Sequence, residues 1–408
     1  MKIVMLTPDS YMIDRRIILE AQTLIQAGHK VILLAGFETP QEEHFEQDSI
    51  QIHRYCYDWD DERLKKIRAK LPANERLLGL ANKIYMFLAK RFFEISPFDR
   101  FIIAKALEFD ADVYHIHDLP CLKAGWYAAK ARNVPLIYDA HELYYAQSVL
   151  PRKLQKQYFA LEKKYIKYPQ VVITVNSFIA DLMAKRYQIK KPQVIMNCTE
   201  KPKNFSLEQA RQKLQEKGNI PTNYKIILYQ GWISAERNIE TIVEGVKWFP
   251  KDTCLAIIGY GNYESTLREI AKQQGVADKV FFLGQVPSDE MLNYSAGADV
   301  GVIPYQAIDD NHLYCSPNKF FEYVLAGVPI IAEDLPFFRL MNEKYGMVET
   351  TNMGSPEALG KLISDLINDT SRLYSLRENC YHASQELNWV KESEKLLTIY
   401  NQVINEKT

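Results

Sequence analysis

The chain has little cysteine for its 408 residues, and its six cysteines form neither a CxxC pair nor a cluster with histidine. This spacing favours reduced thiols over a disulfide framework or a zinc site. A run of about 20 apolar residues, which a membrane-spanning helix needs, is also missing. The short apolar stretch from Met1 to Thr7 is followed at once by polar residues, unlike a signal peptide. The sequence therefore predicts a cytoplasmic protein with no metal or other cofactor.

The chain also has almost no net charge and no glycine in its first 27 residues. With 50 basic and 51 acidic residues the net charge is -1, which gives no reason to expect nucleic acid as a partner. No glycine precedes Gly28, so the first strand-to-helix turn lacks the Gly-x-Gly-x-x-Gly loop of a dinucleotide-binding dehydrogenase. Asp14, Arg15 and Arg16 stand near that turn, and Asp14 and Arg15 are assigned to the acceptor or sugar. The two arginines are predicted either to contact an anionic acceptor or only to lie at a helix start.

The order of apolar segments predicts an α/β protein with two domains. Short apolar runs alternate with amphipathic helices, which is typical of parallel sheets. The alternation breaks in the polar stretch from Asn197 to Tyr224 and then restarts, and 408 residues exceed one ordinary core. We therefore predict two doubly wound, Rossmann-like parallel-sheet domains facing a cleft, at residues 1–200 and 201–387. The last helix, within 388–408, either packs back on the first domain or adds to the second.

The predicted elements locate the loops that should line this cleft. In such sheets, ligands bind beyond the carboxyl ends of the strands. The predicted strands are Ile3 to Thr7, Val31 to Gly36, Val113 to His117, Leu136 to Asp139, Val171 to Val175 and Ile226 to Gly231, followed by the runs CLAIIG, VFFLG, VGVIP and PIIA. The predicted helices of the first half are Asp14 to Ala27, Pro120 to Arg132 and Ser177 to Tyr187.

The segment SPNKFFEYVLAGVP, from Ser316 to Pro329, combines an anion site with a hydroxyl acceptor. Ser316 is predicted to cap a helix with Pro317 at its first position. The amides of Asn318, Lys319 and Phe320 would then stay unpaired at the positive end of the helix dipole, which favours phosphate. Lys319 and Glu322 lie three residues apart and share a face. This arrangement suits a nucleotide-sugar; the alternative is an ordinary surface Lys–Glu pair.

These residues resemble the donor-site helix of retaining, GT4-like glycosyltransferases of the GT-B fold. The resemblance implies a GT-B fold and a role for Glu322 in gripping the nucleotide ribose. Many members carry a second Glu eight positions earlier, which touches the transferred sugar. Tyr314 stands at that position here. Some bacterial surface-polysaccharide members share the S-P-N-K form without the second Glu.

A second donor-side motif runs from Tyr229 to Asn238. The family typically shows Gly-Arg and, five residues on, Lys, and both cations hold the diphosphate. Here Gly231 is followed by Trp232, and Arg237 takes the second place. A guanidinium can bridge two phosphate oxygens, so Arg237 and Lys319 are predicted to neutralise the leaving group without a metal. The alternative reading of Arg237 is a solvated residue at a helix start.

Further positions are assigned to the donor and sugar sites. Gly259 and Gly261 follow a strand, although such turns also use glycine without a ligand. Gln285 and Val286 belong to a loop that resembles the one meeting the nucleobase. Asp310 and Asn311 precede the donor helix. They are predicted to lie at the edge of the sugar pocket or to belong to an exposed polar loop.

In the first domain, two strand ends carry the candidate chemistry. His117 and Asp118 end one predicted strand, and His141 and Glu142 follow the next. The resemblance places His141 beside the transferred sugar, where its imidazole or its backbone carbonyl would stabilise an oxocarbenium-like transition state. His117, Asp118 and Glu142 are assigned to the acceptor or sugar. A metal site is disfavoured because strand alternation puts His115 and His117 on one face and Asp118 on the other.

Residues 63–105 interleave basic with aromatic and aliphatic residues, including Lys65, Arg68, Lys90, Phe92 and Phe93. Such a helix can lie in a membrane interface, and lysines in residues 153–167 extend the basic character. The pattern fits peripheral contact with the anionic inner face of the cell membrane and a lipid-linked acceptor. A helix packed on the sheet with a solvated basic face fits equally well.

The sequence thus predicts a metal-independent, retaining hexosyltransferase. It would move a sugar from a UDP- or GDP-sugar to a glycan or lipid-linked acceptor in bacterial cell-surface polysaccharide synthesis. Two alternatives stay open: a GT-B-fold nucleotide-sugar epimerase, and a non-catalytic nucleotide-binding or scaffold protein on the same fold.

Overall fold

The computed structural model describes residues 1–10, 13–57, 94–202 and 205–405, together with short stretches between 66 and 85. The first eight strands form one sheet in the order β3-β4-β2-β1-β5-β6-β7-β8. All neighbours in it are parallel except β3 and β4. Its strands are β1 Lys2–Thr7, β2 Lys30–Ala35, β3 Glu38–Gln47, β4 Ile50–Cys56, β5 Val113–His117, β6 Leu136–Ala140, β7 Val171–Thr174 and β8 Gln193–Val194. The helices delimited in this half are α1 Arg15–Gln26, α2 Pro97–Leu107, α3 Leu119–Arg132, α4 Arg152–Tyr165 and α5 Ser177–Tyr187.

The second domain is built on a six-stranded parallel sheet in the order β11-β10-β9-β12-β13-β14. Its strands are β9 Lys225–Trp232, β10 Thr253–Tyr260, β11 Val280–Gly284, β12 Val300–Ile303, β13 Ile330–Ala332 and β14 Val348–Thr350. The helices are α6 Leu207–Gly218, α7 Ile239–Gly245, α8 Glu264–Gln273, α9 Met291–Ser295, α10 Asp310–Leu313, α11 Asn318–Ala326, α12 Pro336–Tyr345, α13 Pro356–Asn368, α14 Thr370–Ser384 and α15 Trp389–Asn405. Two doubly wound α/β domains are therefore confirmed.

Strand residues are buried on both faces, since helices cover each side of the sheets. β5 and β6 are buried along their whole length, and the predicted strands match the observed ones within one residue at either end. The prediction missed the antiparallel hairpin of β3 and β4. Its first strand reads ETPQEEHFEQ, is mostly exposed and lies at the sheet edge, so its sequence carries no apolar alternation.

The final helix, α15, packs on the first domain. The indole nitrogen of Trp389 donates to the hydroxyl of Thr23 at 3.0 Å. Tyr400 hydrogen-bonds His115 at 2.9 Å, and Leu396 and Val403 join the core under β1 and α1. Of the two placements that the sequence left open, the structure has the return to the first domain.

Within the described residues, no helix is both long and apolar enough to cross a bilayer. Most of the basic, amphipathic segment between 63 and 93 lies outside the described residues, including Lys65, Arg68, Lys90, Phe92 and Phe93.

Candidate functional site

The donor helix α11 begins one residue later than the sequence predicted. Pro317 is the residue before the helix, and Ser316 does not cap it. Instead the Ser316 hydroxyl accepts a hydrogen bond at 3.0 Å from Asn176 of the first domain. The amide of Phe320 donates to the Pro317 carbonyl at 2.9 Å, so it is not free, contrary to the prediction. The helix end thus presents the amides of Asn318 and Lys319.

Lys319 is buried among aromatic rings. Its side-chain nitrogen lies 4.1 Å from the ring centre of Tyr229 and 4.9 Å from that of Tyr305. The residue is 6% exposed, and its nitrogen has no hydrogen-bond partner among the described residues. Burial lowers the pKa of the ammonium group well below its usual range, and the positive charge of Arg237 lowers it further. Burying an amine without a hydrogen-bond partner costs folding free energy. Lys319 is therefore a candidate ligand-binding residue.

Arg237 faces the same ring from the short turn after β9. Its guanidinium lies 4.8 Å from the ring centre of Tyr305, and its Nε has no hydrogen-bond partner in the described part of the chain. Tyr305 itself was not singled out from the sequence. It is buried at the end of β12, and it brings both cations to one ring. A basic amine and a guanidinium at one point, with no carboxylate paired to either among the described residues, favour a ligand with more than one negative charge, which would also favour the protonated form of the amine.

Glu322 is positioned by two residues that sequence reasoning did not name as site residues. The Gln230 side-chain amide nitrogen donates to its carboxylate, and the Ser295 hydroxyl donates to the side-chain amide oxygen of Gln230 at 2.6 Å. Gln230 and Ser295 are both buried. Gln230 lies inside the motif that carries Arg237, which was a usable signal; Ser295 follows no recognisable pattern.

The glycines of the donor loops permit close backbone approach. Gly231 has φ +125°, and a side chain there would meet the Lys319 nitrogen at 3.1 Å. At Gly259, φ is +152°, and a Cβ would lie 1.8 Å from the Gly231 carbonyl oxygen. At Gly261 it would lie 2.0 Å from the Ile233 carbonyl. Packing of neighbouring strand ends therefore explains Gly259 and Gly261 without a ligand.

Other predicted donor residues are spread more widely. Trp232 is 45% exposed and stands edge-on to Tyr260 with ring centres 4.8 Å apart. Gln285 is exposed, whereas Val286 is buried in the core of the second domain, so its side chain does not face a nucleobase. The Tyr314 ring stacks with Phe178 of the first domain at 6.4 Å, rather than lining the cation pair.

In the first domain, His141 is surrounded by carboxylates. Its Nε2 lies 3.4 Å from Asp139 and its Nδ1 lies 3.7 Å from Asp14 and 3.8 Å from Asp118. Its Nε2 also lies 3.2 Å from Nδ1 of His117, which is buried. Burial opposes ionisation, but Asp118 and Asp139 raise the pKa of His141 well above its usual range.

Asp118 is held in a strained conformation beside this imidazole. Its φ is +60° and its ψ is 162°, a region that non-glycine residues rarely adopt and that costs about 1–3 kcal/mol. The strain places its carboxylate 3.1 Å from the His141 amide. Burial raises the pKa of Asp118 to about 7.

Arg16 is buried behind this group, which excludes the predicted contact with an acceptor. Its Nε and Nη2 donate to Asp139 at 2.9 and 3.0 Å, and its Nε lies 3.0 Å from Glu20. Glu20, His115, His117 and Asp139 offer ligand atoms within 4.8 Å of one another. The guanidinium already supplies the positive charge there, and a divalent cation beside it would be repelled. These residues fit a structural charge network better than a metal site.

Several predicted sugar residues join the two domains. The Asn311 side chain accepts from the Leu143 amide at 3.0 Å and donates to Glu142 at 2.8 Å. Asp310 pairs with Arg186 at 2.6 Å. In this structure Glu142, Asp310 and Asn311 are therefore engaged in interdomain contacts rather than open to a sugar.

The donor group and the His141 group approach each other across the cleft. Burial raises the pKa of Glu322 in the second domain. The positive charge of Arg15, in the first domain, lies close enough to lower that pKa in turn. Arg15 also donates to the Ser288 and Glu200 carbonyls at 3.1 and 3.3 Å. The structure thus brings Lys319, Arg237 and Glu322 to one edge of the second sheet, with Asp14, Arg15 and His141 opposite.

Comparisons with known proteins agree with this architecture. The family "Glycosyltransferase Family 4" matches residues 13–200, and "Glycosyl transferases group 1" matches residues 210–386. D-inositol 3-phosphate glycosyltransferase of Xylanimonas cellulosilytica is 23% identical over 317 residues, covering 71% of this chain and 72% of that protein.

Solved structures resemble the chain over almost its full length. Sucrose-phosphate synthase from Thermosynechococcus elongatus superposes with a TM-score of 0.73 at 16% identity, covering 99% of both chains. The Anabaena protein HepE in complex with UDP and glucose gives a TM-score of 0.72 at 16% identity, covering 98% of this chain and 100% of that one. The two parallel-sheet domains and these structural matches show the GT-B fold. The two family models, which match residues 13–200 and 210–386, make the chain a glycosyltransferase, and hence an enzyme. Within that class, the chain belongs to the GT4-type family.

Proposed function

We propose that the enzyme transfers a hexose-type sugar from a UDP- or GDP-sugar to a glycan or lipid-linked acceptor, in the synthesis of bacterial cell-surface polysaccharide. The observation that carries the donor assignment is the cation pair at Tyr305. Lys319 and Arg237 both lie within 5 Å of its ring centre, and among the described residues neither has a carboxylate at ion-pair distance. A nucleoside diphosphate supplies the missing negative charge.

The same residues stabilise the leaving group. As the sugar–phosphate bond breaks, negative charge grows on the diphosphate, and preorganised cations at that point lower the barrier. Lys319, Arg237 and the free amides of α11 supply that charge from the protein, which supports metal-independent transfer. Glu322, fixed by Gln230, accepts hydrogen bonds from the ribose hydroxyls.

His141 is proposed to lie beside the transferred sugar. Its imidazole or its backbone carbonyl would stabilise an oxocarbenium-like transition state, and the carboxylates of Asp118 and Asp139 raise the pKa of the imidazole. Retention of the anomeric configuration is part of this proposal through the family resemblance, and NMR of the product anomer tests it.

The donor assignment is tested by calorimetric titration with UDP and GDP in the presence of EDTA. We expect one nucleotide to bind the wild type and Glu322→Ala to bind it about tenfold to 150-fold more weakly, because hydrogen bonds to a charged group contribute about 1.5–3 kcal/mol. Glu343→Ala, on the exposed face of α12, is the matched control and should bind normally. If neither nucleotide binds, or if both variants lose affinity equally, the donor assignment is wrong.

Two further measurements test the epimerase alternative and the expected independence from metal ions. Incubation with a nucleotide-sugar alone would yield an epimeric nucleotide-sugar if the enzyme were an epimerase. Full activity in EDTA supports metal independence, and loss of activity that Mg²⁺ or Mn²⁺ restores would contradict it.

Peripheral membrane contact is part of the proposal on the strength of the basic helix α4, which carries Lys153, Lys156, Lys163 and Lys164. Co-flotation with vesicles of anionic, but not zwitterionic, lipid supports it. A protein that stays wholly in the aqueous fraction with both vesicle types contradicts it.

A further inference from the structure

A cavity lies on the first domain, away from the cation pair. It is open, holds about 440 Å³, and is lined by Tyr145, Gln155, Lys156, Phe159 and Arg186. Tyr145 belongs to the short helical turn that begins three residues after His141. The cavity is therefore built on the loop that leaves the candidate active site, and it requires a separate explanation.

The walls of the cavity combine flat rings with positive charge. The rings of Tyr145 and Phe159 meet edge to face with centres 5.2 Å apart. Gln155 donates to the Gln147 and Leu150 carbonyls at 3.0 Å each and so fixes one wall. Lys156 and Arg186 supply the charge, and no acidic residue is among the five that line the cavity. Aromatic faces with cations beside them suit a sugar ring that carries an anionic group.

The helix that borders the cavity strengthens this preference for anions. Helix α4 carries five basic residues and a single acid, Glu162. Glu162 is buried, and its carboxylate accepts hydrogen bonds from the Tyr138 and Tyr187 hydroxyls. The solvent side of α4 is therefore positive without compensation from its own residues.

The cavity lies at the opposite end of α5 from the start of the donor helix. Asn176 precedes α5 and bonds Ser316 at the start of the donor helix. Arg186 lies ten residues further along the chain, about 15 Å from Asn176 along the helix axis at 1.5 Å per residue. A ligand in the cavity would therefore be a part of the substrate other than the group that reacts at the start of the donor helix.

We propose that this cavity is an acceptor subsite for an anionic sugar unit, carrying a phosphate or a carboxylate, in an extended glycan or lipid-linked acceptor. This inference rests on the proposed function, because it assigns the cavity to the acceptor of that reaction. Arg186 uses one N–H for the Tyr145 hydroxyl and one for Asp310. Its guanidinium has five N–H donors, so three remain for the ligand.

The Arg186–Asp310 pair links this subsite to the second domain. Asp310 lies in α10, directly before the donor helix, and the pair spans 2.6 Å with both side chains partly exposed. An anionic ligand competes with Asp310 for the same guanidinium. Acceptor binding is therefore expected to weaken one contact between the domains.

The test uses the full chain and three probes: glucose 6-phosphate, glucuronic acid and glucose. Dissociation constants come from saturation-transfer NMR. We expect at least one anionic probe to bind about tenfold more tightly than glucose, because charge-assisted hydrogen bonds are about twice as strong as neutral ones. Arg186→Gln should abolish that preference. A preference for glucose 6-phosphate alone assigns a phosphate-bearing unit, and one for glucuronic acid alone assigns a uronic acid.

The Asp310→Asn variant tests whether the loss of binding in Arg186→Gln comes from the lost contact with the ligand or only from damage to the fold. It removes the competing acid and should tighten anion binding, which damage to the fold would not do. Lys185→Gln, on the exposed side of α5, is the control and should change nothing. Equal binding of all three probes, or weaker anion binding by Asp310→Asn, overturns the proposal. Titration of Arg186→Gln with UDP or GDP, whichever binds the wild type, separates the two proposals, since the donor site should bind this nucleotide normally even if the subsite fails.

Discussion

Replacing Lys319 by methionine should stabilise the free protein. The Lys319 nitrogen is buried, lies between Tyr229 and Tyr305, and makes no hydrogen bond to the described residues. A buried polar group without a partner costs about 1–3 kcal/mol, and methionine fills a similar volume without that cost. The free energy of unfolding should therefore rise by about 1–3 kcal/mol. For a domain of about 200 residues, each kcal/mol raises Tm by about 2–4 °C.

The same substitution should weaken donor binding. Without the ammonium group, the diphosphate loses a charge-assisted hydrogen bond worth about 1.5–3 kcal/mol, which is at least about a tenfold loss of UDP affinity. Opposite signs for stability and affinity are expected where a charge is kept for a ligand rather than for the fold.

Urea unfolding and calorimetric titration with UDP or GDP, whichever binds the wild type, measure the two effects on one preparation. Lys272→Met, on the exposed side of α8, is the control and should change stability by less than about 0.5 kcal/mol. A Lys319→Met protein that is less stable than the wild type, or that binds this nucleotide with unchanged affinity, would refute the reasoning.

Three further predictions concern the buried charges and the strand ends. Burial raises the pKa of Glu20 from 4.5 to about 8, so the folded state keeps a proton that the unfolded chain loses; stability in urea should fall as the pH rises through that window, and Glu20→Gln should flatten the fall. Gly259→Ala would place a Cβ 1.8 Å from the Gly231 carbonyl oxygen, and thermal unfolding should show a loss of about 3 kcal/mol or more. Tyr400→Phe removes the hydrogen bond to buried His115, and the free energy of unfolding should drop by about 1–3 kcal/mol. An unchanged free energy of unfolding would contradict this prediction.

The sequence by itself determined the elements whose signals are local. Apolar runs such as those of β2 and β10 predict buried parallel strands, because neighbours along the chain set strand periodicity. The face shared by Lys319 and Glu322 follows from helix geometry alone. The hairpin of β3 and β4 escaped prediction because its polar edge strand is held by pairing with another strand, which a local pattern does not record.

Only the tertiary structure decided which side chains meet. Ser316 looks like a helix cap in sequence, but its hydroxyl bonds Asn176 in the other domain. Arg16 looks like a surface residue at a helix start, but it is buried against Asp139, 123 positions away. Long-range contacts of this kind depend on how the two sheets and their loops pack. The sequence pattern therefore located the donor helix, whereas packing between distant segments set the surroundings of its charged residues, Lys319 and Glu322.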